Sequence, residues 1–405
     1  MHGTKVRSLR VLVVAVVGAL ALAACGSSDD ESSSGEPVVK IGVIVPLSGD
    51  LAAVGNGIKN SVDLAIKQAN ENKTVPGWTI EMDAQDDQAK PDVGAAAATK
   101  LASDSETAGV IGTYNSSVAA QVIPILDAAR IVQVSPANTG DKLTRGENFN
   151  TAPTRPNNNY FRTATYDELQ GGFAADYAYS TAGARTAVLI HDKKAYGQGL
   201  TESFKTKFEA NGGQILGETQ TVNPGDKDYS GVVTKIKPLN PQIIFFGGEY
   251  PEASLLSSQA KLAGVSVPVM GGDGVVNKTY VDVAGASAAG DLGTSIGAPA
   301  ESLPSAQAFL TAYGAGGYKD PPSAYGTLAF DAANTIIRAL ANVLPGKTAI
   351  DTSVREQVVT AVQATDFEGV SGKVSFDEFG DTKTRLLTVY KVEGADWKPI
   401  VTQAA

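Results

Sequence analysis

From Val38 onward, short apolar runs alternate with stretches whose apolar residues recur at helical spacing, and the alternation lasts for about 250 residues. Val38–Val45 has the length and composition of a buried strand. Val62, Ala65, Ile66 and Ala69 then mark one helical face at i, i+3, i+4 and i+7. Thr79–Asp83 reads as a strand, Val93–Ala102 as a helix, Gly109–Gly112 as a strand, and Val118, Val122, Ile125, Leu126 and Ala129 as a helical face. Pro124 either kinks that helix or crowds its first turn. Ile131–Ser135 is the next strand. A second series follows: strand Thr186–His191, a helix marked by Leu200, Phe204 and Phe208 and stopped at Gly212-Gly213, strand Gln242–Phe246, helix Glu252–Ala263 and strand Val267–Gly271. Such alternation predicts an α/β protein whose parallel sheets are covered on both faces. The Asn/Pro-rich stretch Asn148–Asn159 parts the series, which predicts two doubly wound lobes with a cleft between them. A Gly/Ala-rich segment near Gly290 starts a third piece, with a helix over Ala324–Leu344, and is expected to complete the first lobe. The chain then crosses between lobes more than once, through a multi-strand hinge. The expected first lobe is 38–165 plus 293–386, and the second is 166–292 plus 387–405.

The segment ahead of Val38 has a different character. Lys5, Arg7 and Arg10 precede Val11–Ala24, which carries no charge. This is the layout of a secretory signal, and its 14 residues are short of the roughly 20 a membrane span needs. Leu22-Ala23-Ala24-Cys25 resembles the lipobox of bacterial lipoproteins, in which the cysteine becomes the lipidated first residue. Residues 1–24 are therefore expected to be a signal peptide. Residues 25–37 are expected to be a lipidated Cys25 and a flexible tether, since Gly26–Glu36 is small, polar and acidic. The expected location is outside the cytoplasm, tied to a membrane.

Several functions are disfavoured by composition. Removing residues 1–24 leaves 30 basic against 43 acidic residues, a surface that repels nucleic acid. Cys25 is the only cysteine, and the two histidines are His2 and His191, so no disulfide framework and no zinc site is expected. No cofactor is indicated. Gly293-Thr294-Ser295-Ile296-Gly297 matches the G-x-S-x-G elbow of serine esterases, but no histidine follows Ser295 to act as base, so no enzyme is expected.

In open α/β sheets, ligands bind beyond the carboxyl ends of the strands. In the first lobe those ends lead into Pro46-Leu47-Ser48-Gly49, Thr113-Tyr114-Asn115-Ser116-Ser117 and Pro136-Ala137-Asn138-Thr139. These offer hydroxyls and N–H groups. Ser116 and Ser117 stand at a helix start, where an anion is favoured, although Ser116 could equally cap its own helix. In the second lobe they lead to Tyr196-Gly197, Glu249-Tyr250 and Gly272-Asp273-Gly274. Asp273 also suits a turn, and Glu249 a solvated surface. An anion site thus faces a cation site, the pair of charges a free amino acid carries. Binding both ends would draw the lobes together.

At these positions the chain resembles the leucine/isoleucine/valine-binding proteins of bacterial ABC importers, of the type I periplasmic binding protein family. The marks run from Ile41-Gly42 and Pro46-Leu47-Ser48-Gly49 through Ser116-Ser117, Ser135-Pro136-Ala137-Asn138-Thr139, Phe161-Arg162-Thr163 and Tyr196-Gly197-Gln198-Gly199 to Gly369–Asp377 and Gly380-Asp381. The resemblance implies a receptor that delivers an amino acid, branched-chain or other neutral aliphatic, to an ABC permease. It implies that Ser116 and Thr139 hold the carboxylate. The Ala137 carbonyl, Thr139 and Asp273 would hold the ammonium, and Tyr196 would close over the ligand. Ser48, Val54, Asn115, Tyr250 and Tyr325 are expected as further lining. Three departures stand out. Val54 replaces a frequent aromatic, Glu249 stands where branched-chain binders carry one, and Ala89 and Asn115 occupy the places of a disulfide some members have. Glu249 would act as a second ammonium partner or favour a more polar or cationic ligand. The same fold also serves receptors for amides, urea or other small solutes, and ligand sensors.

Overall fold

The computed structural model describes residues 36–404. The expected signal, Cys25 and most of the tether lie outside the described residues. Five parallel strands form the first sheet: β1 (Val38–Val45), β2 (Thr79–Asp86), β3 (Thr107–Gly112), β4 (Val132–Ser135) and β5 (Tyr160–Arg162), in the order β2-β1-β3-β4-β5. Val39, Ile41, Val43 and Val45 face one helical layer, and Ile44 faces the other with Leu101, Val118, Val122 and Leu126. Both faces are thus covered, which is why β1 is apolar on both sides apart from Lys40 rather than alternating.

The second sheet repeats the scheme with β6 (Thr186–His191), β7 (Gln214–Ile215), β8 (Gln220–Thr221), β9 (Ile243–Gly247), β10 (Val269–Gly271) and β11 (Leu292–Ile296). β12 (Asp366–Glu368) and β13 (Lys373–Ser375) form a separate small ribbon. The chain then returns as the antiparallel hairpin β14 (Leu386–Glu393) and β15 (Asp396–Ala404), which extends the second sheet beyond β11. The crossover expected at Gly293 comes later: β11 pairs with β10 and β14 through Ile296, so residues 293–296 belong to the second lobe. Ser295, in the elbow-like pattern, lies buried within this strand and not on a strand-to-helix turn.

The helices follow the apolar spacing. Leu200, Phe204 and Phe208 are buried along the Ala195–Ala210 helix, and Phe204 stacks on Phe245 of β9 with ring centroids 3.9 Å apart. Pro124 sits well inside the Ser116–Ala128 helix rather than in its first turn. At the carboxyl end of β9 the packing is closer still. A Cβ on Gly197 would fall 2.4 Å from the Gly247 carbonyl oxygen, so only glycine lets the Ala195–Ala210 helix begin this near the strand. That approach sets Tyr196 over the carboxyl edge of the sheet.

Candidate functional site

Beyond the carboxyl ends of both sheets, side chains from the two lobes meet. Tyr196, in the first turn of its helix, donates its hydroxyl to Asp273 Oδ1 at 2.8 Å and accepts from the Gly274 N–H at 3.2 Å. Tyr325, just ahead of the Gly326–Val343 helix that packs on β3 and β4, donates to Asp273 Oδ2 at 2.8 Å. The Asp273 side chain therefore ties the second lobe to the first. Tyr114 packs edge-on against Tyr325 at 5.3 Å. Asp273 is 4% exposed, so its role goes beyond that of a turn residue. Burial raises its carboxyl above the ordinary range, and the Tyr325 and Tyr196 hydroxyls pull it back. The tyrosines themselves are held well above the usual phenol value, by burial first and then by Asp273, so they act as donors.

Glu249 is only 3% exposed, so it is no solvated charge. Asn115 donates its amide to Glu249 Oε1, and Lys194 Nζ donates to Oε2 at 2.6 Å. Burial pulls the Lys194 ammonium down, but Glu249 and Asp192 outweigh it and keep it above its ordinary value. Asp192 pays for its own burial and the nearby Glu249 charge with a carboxyl pushed up to about 7. Asp87, at the end of β2, is likewise pushed up to about 7 by burial, with Asp86 and Glu249 adding to it. Two further contacts bridge the lobes: Ala195 N–H to Ser117 Oγ at 2.9 Å, and Tyr250 hydroxyl to the Asp50 carbonyl at 2.5 Å.

On the first lobe, Asn115 occupies the cap position of the Ser116–Ala128 helix, and Ser116 lies inside the first turn. The Ser116 hydroxyl does not cap; it accepts from the Gly140 N–H at 3.4 Å. The loop carrying Ala137 and Thr139 is fixed from several sides. Ser135 Oγ accepts from the N–H groups of Ala137 and Asn138 at 3.1 and 2.8 Å. Arg162 Nη1 donates to the Asn138 and Gly140 carbonyls, at 3.2 and 3.0 Å, on either side of Thr139. The Thr139 hydroxyl itself is buried beside the Asp167 carboxyl, which burial pushes up and this hydroxyl pulls back down. A groove of about 1330 Å³ opens beside this end, lined among others by Ser116, Gly140, Lys142, Asp167, Gln198 and Gly199.

The structure thus brings Tyr196, Asp273 and Tyr325 into one bonded set and Asn115, Lys194 and Glu249 into a second. Ser116, Ala137 and Thr139 stand on the first-lobe loops beside it, and Tyr250 closes on Asp50. Ser48 is exposed and turned onto Asp86, with Oγ to Oδ2 at 2.5 Å. Val54 is packed in the first-lobe core. Lys194, Asp167 and Gln170 were not anticipated. Lys194 lies in the same post-β6 segment as Tyr196, next to Lys193, which carries the same charge. Among the described residues there is no cluster of metal-ligating side chains and no helix long and apolar enough to cross a membrane.

Residues 38–396 match the family model described as periplasmic binding protein. The Leu/Ile/Val-binding protein BraC3 of Rhizobium johnstonii is 30% identical over 387 residues, covering 95% of this chain and 98% of that protein. The leucine-binding protein LivK of Thermotoga maritima superposes with a TM-score of 0.80 at 26% identity, over 90% of this chain and 99% of that one. The branched-chain amino acid binding protein LivJ of Streptococcus pneumoniae, solved with isoleucine, gives a TM-score of 0.78 at 27% identity, over 91% and 99% of the two chains.

Proposed function

The chain belongs to the periplasmic binding protein family, and from that premise we propose that it is an extracytoplasmic receptor for a free amino acid, neutral and aliphatic, which it hands to an ABC import permease. The observation that carries the reading is the polarity of the cleft. Ser116 and Thr139 offer hydroxyls beside a helix start on one lobe, and Asp273 offers a buried carboxylate from the other. Charge-assisted hydrogen bonds contribute about 1.5–3 kcal/mol each, so two or three at each end dominate recognition. Ser116, Thr139 and the helix N–H groups take the carboxylate; Asp273, Thr139 and the Ala137 carbonyl take the ammonium; Tyr196 and Tyr325 close over both. Glu249 is already neutralised by Lys194, which leaves the ammonium to Asp273. The two relatives named for leucine and for Leu/Ile/Val support the choice of aliphatic ligand.

In a thermal-shift screen of the amino acids, leucine, isoleucine or valine should raise the melting temperature most. At 100-fold excess over Kd the gain is about 2.7 kcal/mol. A shift with an amide, urea or aromatic acid and with no amino acid would falsify the reading. A second element is the anchor. The Leu22-Ala23-Ala24-Cys25 run after an uncharged stretch supports lipidation at Cys25, which would keep the receptor beside its permease. Cys25→Ser should move the protein from the membrane fraction to the soluble one with ligand affinity unchanged; persistence in the membrane would rule the anchor out.

A further inference from the structure

We propose that Lys194 sets the charge class of ligand this cleft admits: its ammonium occupies the Glu249 carboxylate, which without it would receive a cationic ligand side chain; this rests on the amino-acid-receptor reading above. Glu249 and Asp273 leave neighbouring strands. β9 pairs with β10 in parallel, so both acids emerge at the same edge of the sheet. Their loops touch, since a Cβ on Gly274 would stand 2.8 Å from the Gly248 carbonyl oxygen. Tyr114 is buried within the field of both, its phenol held well above the usual value by burial first and then by Glu249 and Asp273. The second lobe thus lends two carboxylates to one cleft. An α-ammonium held at Asp273 leaves Glu249 to the rest of the ligand.

The surroundings of Glu249 are rich in acid and poor in cations. Asp87, Asp192 and Glu252 are buried near it. Each carboxyl is raised by burial first, and the Glu249 charge adds to all three. Oδ2 of Asp87 and Oδ2 of Asp192 have no hydrogen-bond partner among the described residues. Among those residues Glu249 and Asp192 form ion pairs with Lys194 alone, at 2.6 and 3.9 Å, and Asp87 and Glu252 form none. One ammonium therefore stands against four carboxylates.

The backbone aims that ammonium. Lys193 takes a φ of 66° and sends its side chain to Asn223. Lys194 returns to extended backbone at the cap of the Ala195–Ala210 helix, with its N–H on Asp192 Oδ1 at 3.0 Å. Its side chain is 20% exposed and that of Glu249 4%, so the lysine enters from the open side and ends on a buried acid. A basic ligand would bring the same group, an ammonium with three N–H donors. With Lys194 in place, a second cation meets like charge, and an uncharged side chain meets a neutralised pair. Repulsion of the wrong ligand is as much a source of specificity as attraction of the right one. Without Lys194, an uncharged ligand leaves Glu249 buried and unpaired, and a basic one restores the pair.

The test is Lys194→Ala, which removes stem and head together, titrated by calorimetry with L-leucine and L-lysine beside wild type and the double variant Lys194→Ala/Glu249→Gln. Wild type is expected to prefer leucine. Lys194→Ala should bind lysine about 30-fold or more tighter than wild type does and leucine more weakly, and the double variant should lose the gain. Lysine binding no tighter to Lys194→Ala than to wild type would overturn the assignment. So would a gain that survives in the double variant, which traces to space rather than charge. Should Lys194→Ala not fold, Lys194→Gln keeps most of the volume and should shift the preference in the same direction by less; a folded Lys194→Gln with no shift overturns the assignment equally. A wild type that binds lysine as tightly as leucine would overturn it and leave the receptor reading standing. A wild type that binds no amino acid would overturn the receptor reading, and this assignment with it.

Discussion

Replacing Asp273 by alanine should weaken amino-acid binding by about 2–5 kcal/mol, the range for truncating one partner of a buried charge pair. The size follows from what the side chain holds. Its two oxygens accept the hydroxyls of Tyr196 and Tyr325, each at 2.8 Å, and among the described residues it is the only acidic group bonded to tyrosines of both lobes. Alanine removes the charge opposite the ammonium and leaves two buried hydroxyls without acceptors, and each unsatisfied group costs about 1–3 kcal/mol. Asp273→Asn should lose less, since an amide oxygen can still accept from one tyrosine while the negative charge is gone. Calorimetric titration with leucine gives both values. If Asp273→Ala binds as tightly as wild type, the ammonium is neutralised elsewhere and the polarity argument fails. The order of the two variants carries separate information: equal losses would mean that charge alone matters, and a larger loss for alanine would mean that the tyrosine latch matters too.

How legible the site was depends on how each residue reaches it. Tyr196, Glu249 and Asp273 were visible because each follows a strand, and a parallel sheet brings its carboxyl edges to one place whatever the helices do. Lys194 was hidden by its neighbour. Lys193 and Lys194 look alike in sequence, but Lys193 takes a positive φ of 66° and sends its ammonium to Asn223 at the surface, and Lys194 turns inward to Glu249. Nothing in the spacing announces that reversal. β11 was missed because Gly293-Thr294-Ser295-Ile296-Gly297 is too rich in glycine to read as a strand. Its glycine has a packing reason, since a Cβ on Gly293 would meet the Val276 side chain at 2.6 Å. Asp167 looked like a helix-start acid, a common and unremarked position. Only its complete burial sets it apart, and burial is a property of the folded chain.

The last consequence concerns stability, through a contact no sequence pattern could give. Arg162 and Asp381 stand 219 residues apart, both fully buried, with Nε to Oδ1 at 2.6 Å. Arg145 Nε adds a second bond to Asp381 at 2.8 Å. Asp381→Asn should lower unfolding stability by about 3–5 kcal/mol, because it strands a buried guanidinium, and breaking a buried pair costs far more than the intact pair contributes. The exposed Lys278–Asp282 pair is the contrast: its side chains are 70% and 56% exposed, and Asp282→Asn should change stability by about 0.5 kcal/mol or less. The effect has a pH signature. Burial pushes the Asp381 carboxyl up, but Arg162 and Arg145 outweigh it and hold it below the usual carboxylate range. A depressed folded value means the contribution is complete above the unfolded pKa of about 4 and is lost as pH falls through the lower folded value. Urea unfolding of wild type and Asp381→Asn should therefore show a constant gap from about pH 5 to 8 and a narrowing one below about pH 4. A gap that persists undiminished into acid would mean that the lost contribution is packing rather than charge. The same clamp holds the carbonyls on either side of Thr139, so Asp381→Asn should also weaken leucine binding while touching no ligand atom.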